Sequence, residues 1–261
     1  MARLLKHPDL LQVLAFCAED PIERVFLEDV ARRGVGRFTA LAEDHWLTAL
    51  CHVGANVVPS GRETGRFAEA VARTRPRMIV GEERAVSELW DAIERRLPVP
   101  LDDRPGQPVY VTDAPPPSGG SGLRTAALAD LPVLVPACAA AYLEEVGVDA
   151  HSRDPALSEW RTRAQIEHGR SWIWEEEGRI LFKAEASAWT EAVVQLQQVW
   201  VEPEFRGRGH ARRALADLLR LLLERTPTVC LFVRPENEPA IRLYEGLGMR
   251  RTIAYRSLIF P

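Results

Sequence analysis

Hydrophobic and polar residues follow two periods along this chain, one of about two residues and one of three to four, which distinguish strands from helices. The pattern is clearest beyond residue 122. There it predicts, in chain order, a strand over 123–127, helices over 131–145 and 155–168, strands over 171–176, 179–187 and 193–201, a helix ending near 225, a strand over 228–233, a helix over 238–247 and a strand over 253–260. The helix that ends near 225 has an apolar face of residues spaced three and four apart, namely Ala211, Ala214, Leu215, Leu218, Leu219 and Leu222.

The N-terminal part also mixes helices with strands. Asp20 is a suitable cap for a helix that has Pro21 in its first turn and runs to about Arg33. The remaining predicted elements are helices over 10–18, 65–73 and 82–96 and strands over 38–41, 46–53, 78–80 and 109–111. The order predicts an α/β fold for this part too.

A stretch rich in proline, glycine and serine divides the chain. Residues 113–122 are Asp-Ala-Pro-Pro-Pro-Ser-Gly-Gly-Ser-Gly. Such a composition is typical of a linker, stiff where the prolines are and flexible where glycine and serine follow. We therefore predict an N-terminal α/β domain over 1–113, a linker over 114–121 and a second domain over 122–261, both of ordinary domain size.

Composition and charge exclude several classes of protein. The hydrophobic fraction of 46% and charged fraction of 27% are usual for a soluble globular chain. A net charge of −4 lacks the basic excess of a nucleic-acid binder. We expect no metal site, because the cysteines are far apart and have no paired histidines; they are Cys17, Cys51, Cys138 and Cys230. With no signal-peptide pattern and no membrane-length apolar run, we expect a cytoplasmic protein without membrane contact.

The segment with a chemical signal lies between the strand over 193–201 and the amphipathic helix. It reads Glu-Phe-Arg-Gly-Arg-Gly-His-Ala over 204–211. A helix N-terminus offers unpaired N–H groups and a partial positive charge, and glycines let an anion approach the backbone. Arginines at 206, 208, 212 and 213 add charge. The spacing fits neither the dinucleotide-binding G-x-G-x-x-G motif nor a P-loop. The segment predicts a pyrophosphate site, although Arg-Gly-Arg-Gly alone also fits a tight turn with solvated arginines.

Two motifs in the C-terminal half resemble those of the GNAT superfamily of N-acetyltransferases. Val201, Pro203, Arg206, Gly207, Gly209 and Ala211 fill the acetyl-CoA loop pattern V-x-P-x-x-[RQ]-G-x-G-x-[GA]. Asn237, Ala240, Tyr244 and Gly248 fill the second pattern, V-x-x-x-N-x-x-A-x-x-x-Y-x-x-x-G-F, with Met249 in place of the phenylalanine. The resemblance covers about residues 122–261 and implies a mixed, mostly antiparallel central sheet flanked by helices.

This resemblance implies transfer of an acetyl group from acetyl-CoA to an amine by direct attack, without a metal. It assigns backbone contacts with pantetheine and the thioester to Val199 and Val201, a cofactor contact to Asn237 and the general acid to Tyr244. Tyr244 alone would also fit an interface aromatic, and Asn237 a helix cap. The residues implied to hold the pyrophosphate are Arg206, Gly207, Arg208, Gly209, His210 and Ala211.

The general base has no clear counterpart in the sequence. GNAT enzymes often have a glutamate on the strand before the loop, where this chain has glutamines at 195, 197 and 198. Glu185 on the preceding strand is the first candidate and shares one face of that strand with Lys183. Glu144 and Glu145 at the end of a helix are the second. For each, a solvated surface carboxylate is the alternative.

The whole chain further resembles two-domain bacterial proteins with a DUF4081-type N-terminal region. Stretches that support this begin at Asp20, Cys51, Glu144 and Phe182. The N-terminal half could be a degenerate GNAT-like fold, but it lacks a glycine-rich loop after a strand, so we do not expect it to bind CoA in the same way. Mycothiol-forming acetyltransferases are similar in pairing an active with an inactive half, which suggests a small-molecule amine; protein amines stay open. The alternative function is an acyl-CoA-binding regulatory or interaction protein without turnover.

Overall fold

The computed structural model describes residues 2–147 and 154–261, whose strands form a single twelve-stranded mixed sheet. The strands are β1 Arg3–Leu5, β2 Arg37–Glu43, β3 Trp46–Val53, β4 Asn56–Gly61, β5 Met78–Glu82, β6 Asp102–Thr112, β7 Arg124–Thr125, β8 Ser171–Glu176, β9 Arg179–Trp189, β10 Val193–Val201, β11 Thr228–Phe232 and β12 Arg250–Ile259. The helices are α1 Leu10–Glu19, α2 Val25–Arg32, α3 Ala68–Ala72, α4 Glu83–Ile93, α5 Leu131–Val146, α6 Pro155–Glu167, α7 His210–Leu223 and α8 Glu238–Gly246. The sheet order is β1-β2-β3-β4-β5-β12-β6-β11-β10-β9-β8-β7, with β4–β5 and β10–β11 parallel. The mixed α/β fold predicted from the sequence is confirmed.

The two halves of the chain exchange strands at the centre of the sheet. β6 precedes the predicted linker, yet it pairs with β11 and β12 of the C-terminal half. β12 pairs in turn with β5 of the N-terminal half. The apolar cluster beneath the junction draws on both halves and includes Val25, Val109, Val111, Val193 and Tyr255. Hydrogen bonding and the core are therefore continuous across residue 113, while the two-domain division stays a prediction.

Residues 116–121 of the predicted linker lie against α7. The carboxylate of Asp217 accepts hydrogen bonds from the backbone N–H groups of Gly119 and Ser121, both at 2.7 Å, and from two serine hydroxyls. Arg213 Nε donates to the carbonyl of Gly119 at 3.0 Å, and Arg220 Nη1 donates to that of Pro116 at the same distance. Partial burial raises the pKa of Asp217, but the hydrogen bonds prevail and lower it to about 2. The glycine- and serine-rich end is thus held against α7 by a partly buried hydrogen-bond network, while the assignment of 114–121 as a linker stays a prediction.

Several predicted element bounds also change. The helix expected from Asp20 begins at Val25 and is preceded by a turn over 21–24; the Asp20 carboxylate caps this turn by accepting from the N–H of Glu23 at 3.1 Å. β1 and β4 have no predicted counterpart, and β6 is longer than the strand expected over 109–111. Both prolines of β6, Pro105 and Pro108, lie within it. Proline cannot donate to a ladder, so only the pairing found in three dimensions makes this segment a strand.

Candidate active site

A cleft opens where the parallel strands β10 and β11 separate. Register pairs join them only at residues 193–195 and 228–230. Beyond this point β10 stays paired with β9, whereas β11 stays paired with β6. The strands therefore diverge, and the opening lies next to the segment that connects β10 to α7.

β10 carries a bulge beside this cleft. Gln197 pairs with Glu185 and Trp200 with Lys183, so two residues of β10 lie opposite one of β9. Gln198, the first residue of the bulge, has a φ of 49°. A bulge of this kind redirects the groups that follow it. Val199 is half-buried against the core beneath α7. Val201 is buried, and its carbonyl oxygen accepts a hydrogen bond from Arg206 Nε at 3.0 Å.

The predicted phosphate loop joins β10 to the N-terminus of α7. A 3₁₀ turn over Pro203–Phe205 precedes Gly207 and Gly209, whose φ values of 73° and 82° favour glycine. Gly209 is the N-cap of α7 and supplies no side-chain cap. A Cβ atom at either glycine would have no neighbour within 4 Å. The first turn of α7 thus presents uncapped N–H groups beside open space, which is the arrangement that binds anions.

Most of the arginines around the loop already have protein partners. Arg206 forms a bidentate ion pair with Glu144 of α5, with contacts of 2.9 and 2.6 Å. Arg212 donates to the carbonyl of Gly246 at 2.8 Å. Arg208, in contrast, forms no ion pair with any residue in the described ranges. Its guanidinium carbon lies 5.7 Å from the centroid of the Phe205 ring. Within the described ranges Arg208 is therefore a loop arginine whose charge is not paired with a carboxylate and is available to a bound anion.

The last two loop residues contribute differently. The His210 ring lies edge-on to Trp174 and Phe205, with centroid distances of 5.0 and 6.1 Å. Its Nδ1 is buried without a hydrogen-bond partner among the residues that the structure covers. Ala211 is half-buried against the core. These side chains pack against the fold, so any contact of residues 210 and 211 with an anion would come from the backbone.

Tyr244 and Asn237 both belong to the turn and helix that follow β11. Tyr244 is buried, with its ring 5.8 Å from that of Tyr110. Burial raises the pKa of Tyr244, and the nearby carboxylate of Glu145 raises it further. Asn237 caps α8, since its Oδ1 accepts from the N–H of Ala240 at 3.2 Å. The capping role of Asn237 is confirmed; its cofactor contact and the acid role of Tyr244 stay predictions.

Glu185 forms a buried ion pair with Lys183. Its Oε1 lies 2.7 Å from Lys183 Nζ and accepts from Cys138 Sγ at 3.2 Å. Burial alone would raise the pKa of Glu185, but Lys183 and these hydrogen bonds lower it. Burial alone would lower the pKa of Lys183, and Glu185 raises it. The assignment of Glu185 as base stays a prediction, but its environment disfavours it, because a buried carboxylate with a lowered pKa accepts protons poorly.

The neighbouring glutamates of α5 have opposite environments. Glu144 binds Arg206 and also accepts from Trp200 Nε1 at 3.2 Å; the hydrogen bonds from Arg206 lower its pKa. Glu145 is exposed, and desolvation by the surrounding protein raises the pKa of its carboxyl. Arg104, Lys183 and Arg234 oppose that rise. Glu145 thus combines solvent access with proximity to Tyr244.

The N-terminal half has a comparable pair of diverging strands with a different loop. β4 and β5 pair only at Asn56–Met78 and Val57–Ile79. A 3₁₀ turn, Thr64–Phe67, follows β4. The N–H group at its start is already bonded, because Thr64 N donates to the Glu88 carboxylate at 3.1 Å. An acidic side chain thus takes the place that an anion would need, in keeping with the expectation that this half does not bind CoA as the other does.

Sequence reasoning placed Lys183 and Glu185 on one face but missed their contact with β10. The sequence signal for this contact was the pair of adjacent glutamines at 197 and 198. In a regular strand their side chains would point to opposite faces of the sheet.

In the described part of the chain, no helix has the length and apolar character needed to cross a membrane. Nor does that part contain three metal-ligating side chains grouped as a metal site would require.

Comparisons with known proteins agree with this geometry. The profile of the acetyltransferase (GNAT) family matches residues 138–249, and that of a domain of unknown function, DUF4081, matches residues 36–133. Sequence comparison with curated proteins gives no significant match.

Similar solved structures extend over nearly the whole chain. A GCN5-related N-acetyltransferase from Sphaerobacter thermophilus is 18% identical, with 97% of this chain and 94% of that one covered and a TM-score of 0.61. A tandem GNAT protein from the clavulanic acid biosynthesis pathway is 11% identical, with coverage of 99% and 98% and a TM-score of 0.59. A GNAT-family acetyltransferase from Colwellia psychrerythraea is 11% identical, with coverage of 99% and 100% and a TM-score of 0.57. At these identities the likeness establishes the fold.

The family match and the fold agree with both sequence motifs. This chain therefore contains an acetyltransferase (GNAT) family domain over residues 138–249, preceded by a region over residues 36–133 that matches DUF4081.

Proposed function

We propose that this protein transfers an acetyl group from acetyl-CoA to a primary amine by direct attack of the amine on the thioester. The observation that carries the proposal is the uncapped N-terminus of α7 beside the β10–β11 cleft, with Gly207 and Gly209 in left-handed conformations next to open space. Backbone N–H groups and the charge of Arg208, which has no ion pair with the described residues, suit a pyrophosphate. The cleft next to them suits the pantetheine arm and its thioester.

In the proposed reaction Tyr244 is the general acid for the thiolate that leaves. An acid must be protonated before the reaction, and the raised pKa of Tyr244 keeps its hydroxyl protonated near neutral pH. Backbone N–H groups in the cleft polarise the thioester carbonyl. As the amine nitrogen bonds to that carbonyl carbon and loses a proton to the general base, the carbon–sulfur bond breaks and the sulfur takes the Tyr244 proton.

Glu145 is the better candidate for the general base, ahead of Glu185. A base must be reachable by the amine and have a pKa closer to neutral than that of an ordinary carboxylate. Glu145 is exposed, and its pKa is raised. Glu185 has the opposite properties, since it is buried and paired with Lys183 at 2.7 Å.

A regulatory protein that binds acyl-CoA without turnover is the alternative. It is favoured by the glutamines of β10, where many GNAT enzymes have a carboxylate. It predicts binding of acetyl-CoA and no transfer to any amine. Glu145 beside Tyr244 favours the enzyme.

The first experiment is calorimetric titration of acetyl-CoA into the full-length protein. We expect a Kd on the order of micromolar, a common range for enzyme substrates. Gly209→Trp should weaken binding by at least about tenfold, because its side chain would fill the space beside the uncapped N–H groups. Gly34→Trp is the matched control, since Gly34 also has a positive φ and open surroundings but follows α2. Binding unaffected by Gly209→Trp would contradict the proposed site.

Transfer is then tested by mass spectrometry with a panel of small-molecule amines and peptides. Acetylation of any of them supports the enzyme. Tight binding with no product across the panel supports the regulatory alternative, and no binding of acetyl-CoA or longer acyl-CoAs refutes both.

A further inference from the structure

The buried pair of Lys183 and Glu185 contacts the bulge of β10 directly. Lys183 is wholly buried, and its Nζ donates to Gln198 Oε1 at 2.7 Å as well as to Glu185 Oε1. Gln197 Nε2 donates to Glu185 Oε2 at 3.4 Å. The cation thus binds one residue of the bulge, and the anion binds the residue before it.

This arrangement depends on the irregular backbone of β10. Consecutive residues of a regular strand point to opposite faces of the sheet. Gln197 and Gln198 reach the same ion pair because Gln198 has a φ of 49°, a conformation that residues other than glycine rarely adopt. The Lys183–Gln198 hydrogen bond therefore joins a buried charge to the one residue of β10 with a left-handed backbone.

We propose that Lys183 is a positioning residue, whose ammonium group holds Gln198 in the left-handed conformation and thereby fixes the backbone of Val199 at the cleft. This inference rests on the proposed function, because it gives the bulge a part in acetyl-CoA binding. Lys183 itself is wholly buried on β9, so we assign it no contact with the cofactor. Glu185 has the supporting role of keeping the ammonium group charged and oriented.

The double variant Lys183→Met/Glu185→Gln tests the proposal in the full chain. It removes the tether without leaving an unpaired buried charge, which Lys183→Met alone would do and which could prevent folding. We expect the Kd for acetyl-CoA to rise about tenfold, since a buried hydrogen bond to a charged group is lost. Amide hydrogen exchange at residues 198–200 should become faster in the cofactor-free protein.

Rescue distinguishes positioning from general destabilisation. Adding Gln198→Gly to the double variant should restore the Kd to within a factor of about three, because glycine adopts the left-handed conformation without a tether. Arg170→Met is the matched control. It breaks another buried ion pair, with Asp29 of α2, and should lower the melting temperature while leaving the Kd for acetyl-CoA unchanged.

Each result of the series decides the matter. An unchanged Kd and unchanged exchange in the double variant would overturn the proposal, as would a loss of binding that Gln198→Gly fails to repair. If the wild-type protein binds no acetyl-CoA, the proposed function fails. The amide exchange rates at residues 198–200 then decide whether Lys183 positions the bulge. Faster exchange that Gln198→Gly reverses would still support its positioning role.

Discussion

At the scale of single residues, three glutamates near the cleft differ in their partners and in the direction of their pKa shifts. Glu144 binds Arg206, Glu185 is buried with Lys183, and Glu145 stays exposed, with no arginine bound to its carboxylate in the described ranges. Their pKa values accordingly move in different directions, down for the first two and up for Glu145. The partner of each carboxylate, rather than its residue type, therefore determines which one can accept a proton.

The acid role of Tyr244 is tested by Tyr244→Phe. We expect kcat to fall by roughly two orders of magnitude, in the usual range for loss of a general acid, with little change in the Kd for acetyl-CoA. Tyr110→Phe is the matched control, because that neighbouring tyrosine donates its hydroxyl to Glu245 at 2.9 Å and has no assigned role in the reaction. Equal effects of both substitutions would mean that Tyr244 acts through packing.

The base role of Glu145 is tested by the pH dependence of the reaction. A base acts only when deprotonated, so kcat/KM of the wild-type protein should rise with pH until the raised pKa of Glu145 is passed. Glu145→Gln should lower kcat by roughly two orders of magnitude and remove this dependence. The exposed Glu236 provides the control, as Glu236→Gln should leave the profile unchanged. A profile that Glu145→Gln does not alter would exclude Glu145.

At the scale of elements, the site is assembled from an irregular strand, a glycine loop and the start of a helix. The bulge ends regular pairing of β10, the two glycines turn the chain, and α7 begins with Gly209 as its cap. Arg206 connects this assembly to α5 through Glu144 and to the end of β10 through the Val201 carbonyl. Arg206, which the motif resemblance assigns to phosphate binding, thus also connects the loop with β10 and α5.

Glu144→Ala should loosen this connection. Without the carboxylate, Arg206 and Trp200 lose their shared partner, and the loop gains freedom that cofactor binding must remove. We expect the KM for acetyl-CoA to rise about fivefold with kcat nearly unchanged, a loss of binding alone. Glu159→Ala, which removes an exposed pair with Arg163 on α6, should change neither value. A fall in kcat at unchanged KM would contradict a purely positioning role.

At the scale of the whole molecule, the exchange of β6 and β12 makes each half depend on the other. β6 completes the sheet beside β11, and β12 completes it beside β5. A chain cut at the predicted linker would leave β11 and β5 as unpaired edges with exposed apolar faces. The linker is bound along α7 through Asp217, so it also maintains the position of the strand that it follows.

We therefore predict that fragments 1–113 and 114–261 do not fold when produced separately and do fold when mixed. The measurement is the amide dispersion of each fragment and of the mixture in two-dimensional NMR spectra. Well-dispersed spectra from an isolated fragment would show that the exchanged strand is dispensable. The full chain cleaved at a site introduced between Pro116 and Pro117 is the control, because it retains both strands and should stay folded.

The sequence by itself determined the features that depend on neighbours along the chain. The amphipathic pattern of α7 and the order of strand, glycine loop and helix follow from local rules of propensity and capping. The resemblance of two local motifs to those of the GNAT family then predicted the family, the phosphate loop and the roles of Asn237 and Tyr244. The tertiary structure decided what depends on groups distant in sequence: the exchange of β6 and β12, the docking of the linker, and the partners of Glu144 and Glu185. The physical reason is that strand pairing and carboxylate pKa values arise from hydrogen bonds, charges and burial contributed by remote segments, which no local pattern records.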